Sequence, residues 1–272
     1  EAPSIELARS APKALETAGL APWRILTIRT SDGEELFARM IEPPRRRSGR
    51  RHPALIHTYG GPGSQVVMDC WGGKGGLWHQ MLAHQGYVVL LVDNRGTGGR
   101  GRDFRKCTSL RLGHWEVHDQ VEGARYLQSL PHVDPARIGI WGWSYGGYVS
   151  ALCMLLAPDV FKAGIAVAPV TDYRLYDSIY TERYMATPSE NPDGYRDGAP
   201  VTHAARLQGN LLLIHGSLDD NVHFQNTARL AAALQDAGRP FEMMVYPDRR
   251  HGIEGRHAHL YEAMTASLKR SL

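Results

Sequence analysis

Residues Ile138–Tyr148 have the sequence IGIWGWSYGGY, which is the strongest indication of the fold class of this chain. Its first part has the apolar character of a buried strand, and a helical pattern begins directly after Ser144. A strand-to-helix turn this tight leaves no room for side chains two positions before and after the serine, so glycine is needed at Gly142 and Gly146. Such a turn exposes the serine hydroxyl at a sheet edge and predicts a nucleophile. The alternative, an ordinary glycine-rich turn, explains less of this pattern.

Outward from this turn, short apolar strands alternate with helical patterns, after an opening hairpin of Trp23–Arg29 and Leu36–Ile41. Near-continuous apolar strands separated by helices predict an α/β protein with a mostly parallel, eight-stranded sheet and helices on both faces. The other strands are predicted at Ala54–His57, Tyr87–Val92, Arg137–Trp141, Ala163–Ala168, Leu211–His215 and Phe241–Tyr246. Helices are predicted at Leu77–His84, Trp115–Leu130, Tyr145–Leu156, Tyr173–Met185, His223–Ala237 and His257–Leu268.

The composition is that of a globular protein, with 272 residues of which 43% are hydrophobic and 22% are charged. The three cysteines are too few for a disulfide scaffold, and we interpret them as free thiols. The net charge of +3 is too small to argue for nucleic acid or an anionic membrane. The apolar runs are far shorter than the roughly 20 residues of a membrane span. We therefore predict no nucleic-acid partner and no membrane span.

Two segments stand apart from the alternating pattern. Residues 1–22 are predicted to be an N-terminal linker or helical segment, with a short helix around Ile5–Leu15, and residues 23–272 form the main domain. The run Arg45–Arg51 contains five arginines. It is either a patch for an anionic partner or, as its flanking prolines and the small net charge favour, a solvated loop. The chain begins at Glu1 without a signal-peptide profile, so we expect it to be part of a longer product.

A serine nucleophile needs a base that is itself oriented by a carboxylate, and in this architecture the acid and the histidine follow the serine in that order. The strand Leu211–His215 leads to Asp219 and Asp220, and the last strand leads to His251. We predict His251 as the general base and Asp219 as the acid. Asp220 remains the competing acid, because spacing alone hardly separates neighbours.

The other histidines are weaker candidates for a catalytic base or a metal ligand. His57 and His215 also lie at strand ends, but neither follows the last strand, and we interpret both as structural. His114 and His118 resemble half of a zinc motif, yet the position of its glutamate is taken by Trp115. We therefore predict no metal and no cofactor.

Acyl transfer also requires donors for the developing oxyanion. The geometry of the serine turn makes the backbone N–H of Tyr145 one such donor. The second is expected from the loop His57–Gly63, from either a backbone N–H or the phenol of Tyr59. A plain glycine-proline turn is the alternative for that loop.

These residues resemble the prolyl oligopeptidase family of serine peptidases, and within it the catalytic domain of the dipeptidyl peptidase IV branch. Weaker similarity runs from about Leu36 to His251, and the tyrosine-rich motif is the most specific. The motifs that carry the resemblance are WGWSYGGY at Trp141–Tyr148, APV at Ala168–Val170, YDSIYTERYM at Tyr176–Met185 and DDNVHF at Asp219–Phe224.

The resemblance implies an α/β-hydrolase fold in which Asp219 is the triad acid and the Tyr59 hydroxyl is an oxyanion donor. It implies that Asn221 binds a substrate carbonyl. It also implies a proline-sized pocket lined by Tyr145, Val170, Tyr173, Tyr176, Tyr180 and Val222. The residues themselves agree in one respect: the tyrosines at 173, 176, 180 and 184 have the spacing of one helix face.

The chain departs from the family in several ways. Family members carry an N-terminal β-propeller whose blades need about 40–50 residues each, and only 22 residues precede Trp23. We expect the propeller in the full-length protein rather than here, which leaves open whether the chain alone is an exopeptidase or an endopeptidase. Tyr173 replaces a tryptophan of animal relatives, which leaves the pocket aromatic. Ala163 replaces a disulfide cysteine of those relatives, which favours a soluble bacterial protein, periplasmic or cytoplasmic.

The predicted function is a serine peptidase domain that hydrolyses peptide bonds after proline or alanine through an acyl-enzyme on Ser144. The expected partner is a peptide substrate, and a homodimer is a further expectation from the family. An esterase or acylaminoacyl peptidase with the same triad is the main alternative. A non-catalytic binding module and an anionic-surface binder acting through Arg45–Arg51 are two others.

Overall fold

The computed structural model describes residue 15, residues 17–45 and residues 49–272. Most of the helix predicted around Ile5–Leu15 and the middle of the arginine run lie outside these residues. The strands of the described part are β1 (Trp23–Arg29), β2 (Glu35–Ile41), β3 (His52–His57), β4 (Val88–Asp93), β5 (Val133–Trp143), β6 (Ala163–Val167), β7 (Asn210–Gly216) and β8 (Glu242–Tyr246).

These strands form one sheet with the order β1-β2-β4-β3-β5-β6-β7-β8. Strands β3 to β8 pair in parallel, and β2 pairs antiparallel with both β1 and β4. The predicted fold class, an α/β-hydrolase fold with a mostly parallel eight-stranded sheet, is confirmed.

Helices connect the parallel strands. Among the described residues none of them has the length and hydrophobicity that crossing a bilayer requires. The α-helices are α1 (Gly73–His84), α2 (Arg102–Lys106), α3 (His114–Ser129), α4 (Tyr145–Leu156), α5 (Ser178–Met185), α6 (Pro192–Asp197), α7 (Gln225–Asp236) and α8 (His257–Ser271). Short 3-10 helices occur at Tyr173–Leu175 and Pro200–Arg206.

The sheet has a hydrophobic core on each face. In β4, Leu90 belongs to the core that contains side chains of α3, α4 and α7, whereas Leu91 belongs to the core that contains side chains of α1 and α8. Successive side chains of a strand point to opposite faces, so each buried strand contributes to both cores. The two cores explain why these strands are apolar almost throughout.

The carboxyl ends of the parallel strands lie at one edge of the sheet, where α/β proteins place their ligand sites. The loop after β3 carries Tyr59, β5 ends beside Ser144, the loop after β7 carries Asp219, and the loop after β8 carries His251. Strand β8 is one of the two edge strands of the sheet, and within the described part of the chain it pairs only with β7.

The helix predicted over Tyr173–Met185 is wrong as a single element. A 3-10 turn ends at Leu175, Tyr176 is extended with φ −117° and ψ 167°, and α5 begins only at Ser178. The physical reason is Asp177, whose carboxylate accepts the backbone N–H of Tyr180 at 2.7 Å and caps a new helix. The four tyrosines therefore do not share one helix face.

Candidate active site

The turn around Ser144 has the strained geometry that its glycines predict. Ser144 has φ 60° and ψ −119°, a region that side chains rarely adopt, and its N–H donates to the Val167 carbonyl at 2.8 Å. A Cβ at Gly146 would collide with the carbonyl oxygen of Thr58. The start of α4 therefore packs directly on the loop after β3, and only glycine permits this approach.

The predicted acid and base are in contact. His251 Nδ1 lies 2.7 Å from Asp219 Oδ2, so the imidazole is oriented by a carboxylate. The other oxygen, Oδ1, accepts the backbone N–H groups of Asn221 at 3.0 Å and Val222 at 2.9 Å. Burial alone would raise the pKa of Asp219, but hydrogen bonds from His215 and His251 outweigh it and hold that pKa below its usual range.

The structure separates the two neighbouring aspartates. The Asp219 side chain is fully buried against His251, whereas the Asp220 side chain is 62% exposed and forms an ion pair with Arg250 at 3.1 Å. Asp219 is therefore the carboxylate that orients the imidazole.

The two predicted oxyanion donors both lie near Ser144. Burial raises the pKa of the Tyr59 phenol, and its interaction with the Ser144 side chain partly opposes that rise. Tyr145 is the first residue of α4, and backbone N–H groups in the first turn of a helix have no partner within the helix. Both predicted donors thus lie beside the serine.

The predicted pocket residues divide into a buried and a half-buried set. Val170, Tyr173 and Val222 are buried, and the rings of Tyr173 and Tyr145 lie 6.5 Å apart between centroids. The half-buried set consists of Tyr176 and Tyr180, whose ring centroids are 5.5 Å apart. The Tyr176 hydroxyl donates to Asn221 Oδ1 at 2.9 Å, which joins the tyrosine segment to the loop that carries Asp219.

A buried glutamate on α3 was missed by the sequence analysis. Glu116 Oε1 accepts the hydroxyl of Tyr145 at 2.5 Å, and Oε2 accepts the backbone N–H of Gly113 at 2.9 Å. Burial raises the pKa of Glu116 to about 7, although these two hydrogen bonds oppose the rise. The signal that was available is a glutamate three residues after Gly113, which is the spacing of a capping box.

The other histidines have varied surroundings. His57 is stacked on Trp141 with ring centroids 4.3 Å apart, and burial lowers its pKa to about 4. His118 Nδ1 lies 2.9 Å from Asp119 Oδ1. No cluster of three or more metal-ligating side chains occurs in the described part of the chain. His215, interpreted as structural from the sequence, contacts Asp219 through Nε2 at 3.0 Å.

Comparisons with known proteins agree on one group of relatives. The model of the prolyl oligopeptidase family matches residues 77–272. Dipeptidyl peptidase 4 of Sus scrofa is 42% identical over 254 residues, which are 91% of this chain and 33% of that protein. Probable dipeptidyl-aminopeptidase B of Arthroderma otae is 44% identical over 234 residues, which are 85% of this chain and 25% of that protein.

A solved structure is similar over nearly the whole chain. The crystal structure of Porphyromonas gingivalis dipeptidyl peptidase 4 matches with a TM-score of 0.90 and 46% identity, covering 93% of this chain and 36% of that one. The chain thus spans about a quarter to a third of the length of the curated relatives it matches.

Proposed function

Because this chain belongs to the prolyl oligopeptidase family, we propose that it is the catalytic domain of a dipeptidyl peptidase IV-like serine peptidase, which hydrolyses peptide bonds after proline or alanine. The observation that carries the proposal is the 2.7 Å contact between His251 Nδ1 and Asp219 Oδ2, at the sheet edge where a strained turn presents Ser144.

In the proposed reaction, Ser144 Oγ attacks the scissile carbonyl while His251 Nε2 takes the hydroxyl proton. Asp219 fixes the tautomer of His251 and stabilises the imidazolium that forms. The hydroxyl of Tyr59 and the N–H of Tyr145 stabilise the negative charge on the carbonyl oxygen. His251 then gives its proton to the leaving amine. Water, activated by the same imidazole, hydrolyses the ester on Ser144 and releases the acid.

The proposed specificity rests on the aromatic lining. Flat rings at Tyr176 and Tyr180, together with the buried side chains of Val170 and Val222, suit a rigid five-membered ring better than a long flexible side chain. Asn221 is proposed to bind a substrate carbonyl through its amide nitrogen, since its Oδ1 already accepts the hydroxyl of Tyr176.

We test this proposal with Ser144→Ala. Hydrolysis of a Gly-Pro anilide is expected to fall by at least about 10⁴-fold, because the nucleophile is lost while the fold remains. Ser150→Ala is the matched control, since Ser150 lies on α4, the helix that begins directly after Ser144, and its buried hydroxyl has no partner in the described part of the chain. Turnover by Ser144→Ala near the wild-type rate would contradict the proposal.

The same assay separates the alternatives. An esterase would prefer a short-chain ester over the Gly-Pro anilide, and an acylaminoacyl peptidase would prefer an N-acetylated amino-acid anilide. A binding module would not react with a fluorophosphonate. A preference for the free Gly-Pro anilide, together with labelling at Ser144, is the result expected here.

The remaining proposals concern the whole protein. We propose residues 23–272 as the hydrolase domain, preceded in the full-length protein by a β-propeller, and the three- to fourfold greater length of the relatives supports the latter. A homodimer and a bacterial periplasmic or cytoplasmic location complete the proposal. Neither depends on the chemistry at Ser144.

A further inference from the structure

His215, at the end of β7, is completely buried and contacts the proposed triad acid. Its Nε2 atom lies 3.0 Å from Asp219 Oδ2 and 2.8 Å from the carbonyl oxygen of Val222. Its Nδ1 atom lies 2.7 Å from Thr227 Oγ1 on α7. Both ring nitrogens therefore have short polar contacts in the protein interior.

The partners fix the tautomer of this imidazole. A carboxylate and a carbonyl oxygen only accept hydrogen bonds, so Nε2 of His215 carries the proton and donates to both. Nδ1 is then an acceptor, and the hydroxyl of Thr227 donates a hydrogen bond to it. Each polar atom of the cluster has a partner, as buried groups require.

One carboxylate oxygen of Asp219 accepts hydrogen bonds from two imidazoles. Asp219 Oδ2 accepts Nδ1–H of His251 at 2.7 Å on one side and Nε2–H of His215 at 3.0 Å on the other. With the two backbone donors on Oδ1, the carboxylate accepts four hydrogen bonds. A donor that shares Oδ2 withdraws negative charge from it, and that charge is what stabilises the protonated form of His251.

We propose that His215 is a positioning residue: its Nε2–H orients Asp219 toward His251 and, by sharing Oδ2, makes His251 a weaker base than it would be beside Asp219 alone. This inference rests on the proposed function, because it assigns His251 the role of general base. It adds that a second, buried histidine sets the pH at which that base becomes active.

The other polar and charged groups around His215 and Asp219 limit what else could change the basicity of His251. Asp220 is paired with Arg250, on the exposed side of the loop. From the start of α7, Thr227 and the ring of Phe224 face His215, and neither titrates. The phenol of Tyr176 interacts electrostatically with Asp219 and with Tyr59, and burial raises the pKa of both phenols, so both are neutral at physiological pH.

The experiment measures how the rate of fluorophosphonate labelling at Ser144 depends on pH, since labelling needs His251 as a base but no peptide turnover. For His215→Leu, which removes the donor, the midpoint of the acidic limb is expected to rise by about 0.5–1 pH unit. The rate at pH 6 falls several-fold as a result. Equal midpoints in wild type and His215→Leu would overturn the proposal.

Two variants serve as matched controls. His215→Gln places an amide N–H near the position of Nε2 and is expected to keep the wild-type midpoint. Thr227→Val removes a hydrogen bond from the same buried cluster without touching Asp219, so it is expected to lower the melting temperature without moving the midpoint. A purely structural role would predict the same midpoint for all these variants, which would overturn the proposal.

A measurement on the wild-type protein keeps the proposal decidable if His215→Leu does not fold. Nitrogen NMR of histidine-labelled protein is expected to show His215 as the Nε2–H tautomer, and an Nδ1–H tautomer would overturn the inference. A wild type that is not labelled at all would contradict the proposed function instead, and the NMR result would then decide the placement of His215 independently.

Discussion

Two buried carboxyl groups of the proposed catalytic region, Asp219 in the loop after β7 and Glu116 on α3, have pKa values that are shifted in opposite directions. Burial by itself would raise the pKa of both groups. Asp219 accepts four hydrogen bonds, two of them from imidazoles, and these bonds outweigh burial, so its pKa lies below the usual range. Glu116 accepts one hydrogen bond from a phenol hydroxyl and one from a backbone N–H, and burial raises its pKa to about 7. The number and type of donors, rather than burial, decide which form each group adopts.

The difference separates two tasks. Asp219 is held as an anion beside the proposed base, whereas Glu116 anchors the ring of Tyr145, whose backbone N–H is a proposed oxyanion donor. The first group is suited to stabilising a positive charge that appears during a reaction. The second is suited to fixing a side chain, and its charge is an energetic cost to the fold.

The largest effect is expected from neutralising Asp219. Asp219→Asn cannot stabilise the imidazolium of His251, so kcat/KM for a Gly-Pro anilide is expected to fall by about 10³–10⁴-fold, or roughly 4–5 kcal/mol of transition-state stabilisation. Asp220→Asn is the matched control, and its kcat/KM should stay within about twofold of wild type, because Asp220 is exposed. Similar losses in both variants would refute the distinction between these aspartates.

The next effect concerns the pH dependence of stability and arises from Glu116. Its pKa is about 7 when folded and close to the ordinary glutamate value of 4.5 when unfolded. Between these values the folded state binds a proton that the unfolded state has lost. The free energy of unfolding therefore decreases as pH rises through this window, by up to about 3 kcal/mol from this group.

The measurement is urea unfolding of wild type and Glu116→Gln at several pH values between 4.5 and 8. The difference between the two proteins isolates Glu116, since buried His57, with a pKa of about 4, acts in the opposite direction in both. Relative to Glu116→Gln, wild type should lose stability as pH rises. A difference that is independent of pH would show that Glu116 is ionised throughout.

The smallest effect is expected from removing the Tyr145 hydroxyl, which donates a hydrogen bond to Glu116. Tyr145→Phe leaves one oxygen of a buried carboxyl without its donor, so the free energy of unfolding should fall by about 1–2 kcal/mol. The pKa of Glu116 should rise further. Tyr148→Phe is the matched control: the Tyr148 hydroxyl has no partner among the described residues, and its removal should change stability by less than about 0.5 kcal/mol. Equal losses would contradict the role given to Glu116.

The sequence was sufficient for the sheet and for the turn around Ser144, because both depend on local patterns: apolar strands and glycines at fixed distances from a serine. The break at Asp177 was missed because the spacing of the tyrosines suits a helix, while a single carboxylate cap starts a new one. The contacts of Glu116 and His215 were not predicted for a different reason. Their partners, Tyr145 for one and Asp219 with Thr227 for the other, are recognisable only once the chain is folded. The catalytic roles of Ser144, Asp219 and His251 stay predictions.

The position of β8 at the sheet margin has a consequence for how this protein loses activity on heating. Met243 in that strand is 46% exposed, and among the described residues backbone pairing holds the strand on one side only. Elements with few buried contacts are the first to unfold locally, and His251 lies in the loop directly after β8. Fraying there would withdraw the imidazole while the other seven strands stay folded. Turnover is therefore expected to vanish on warming before the bulk of the molecule melts.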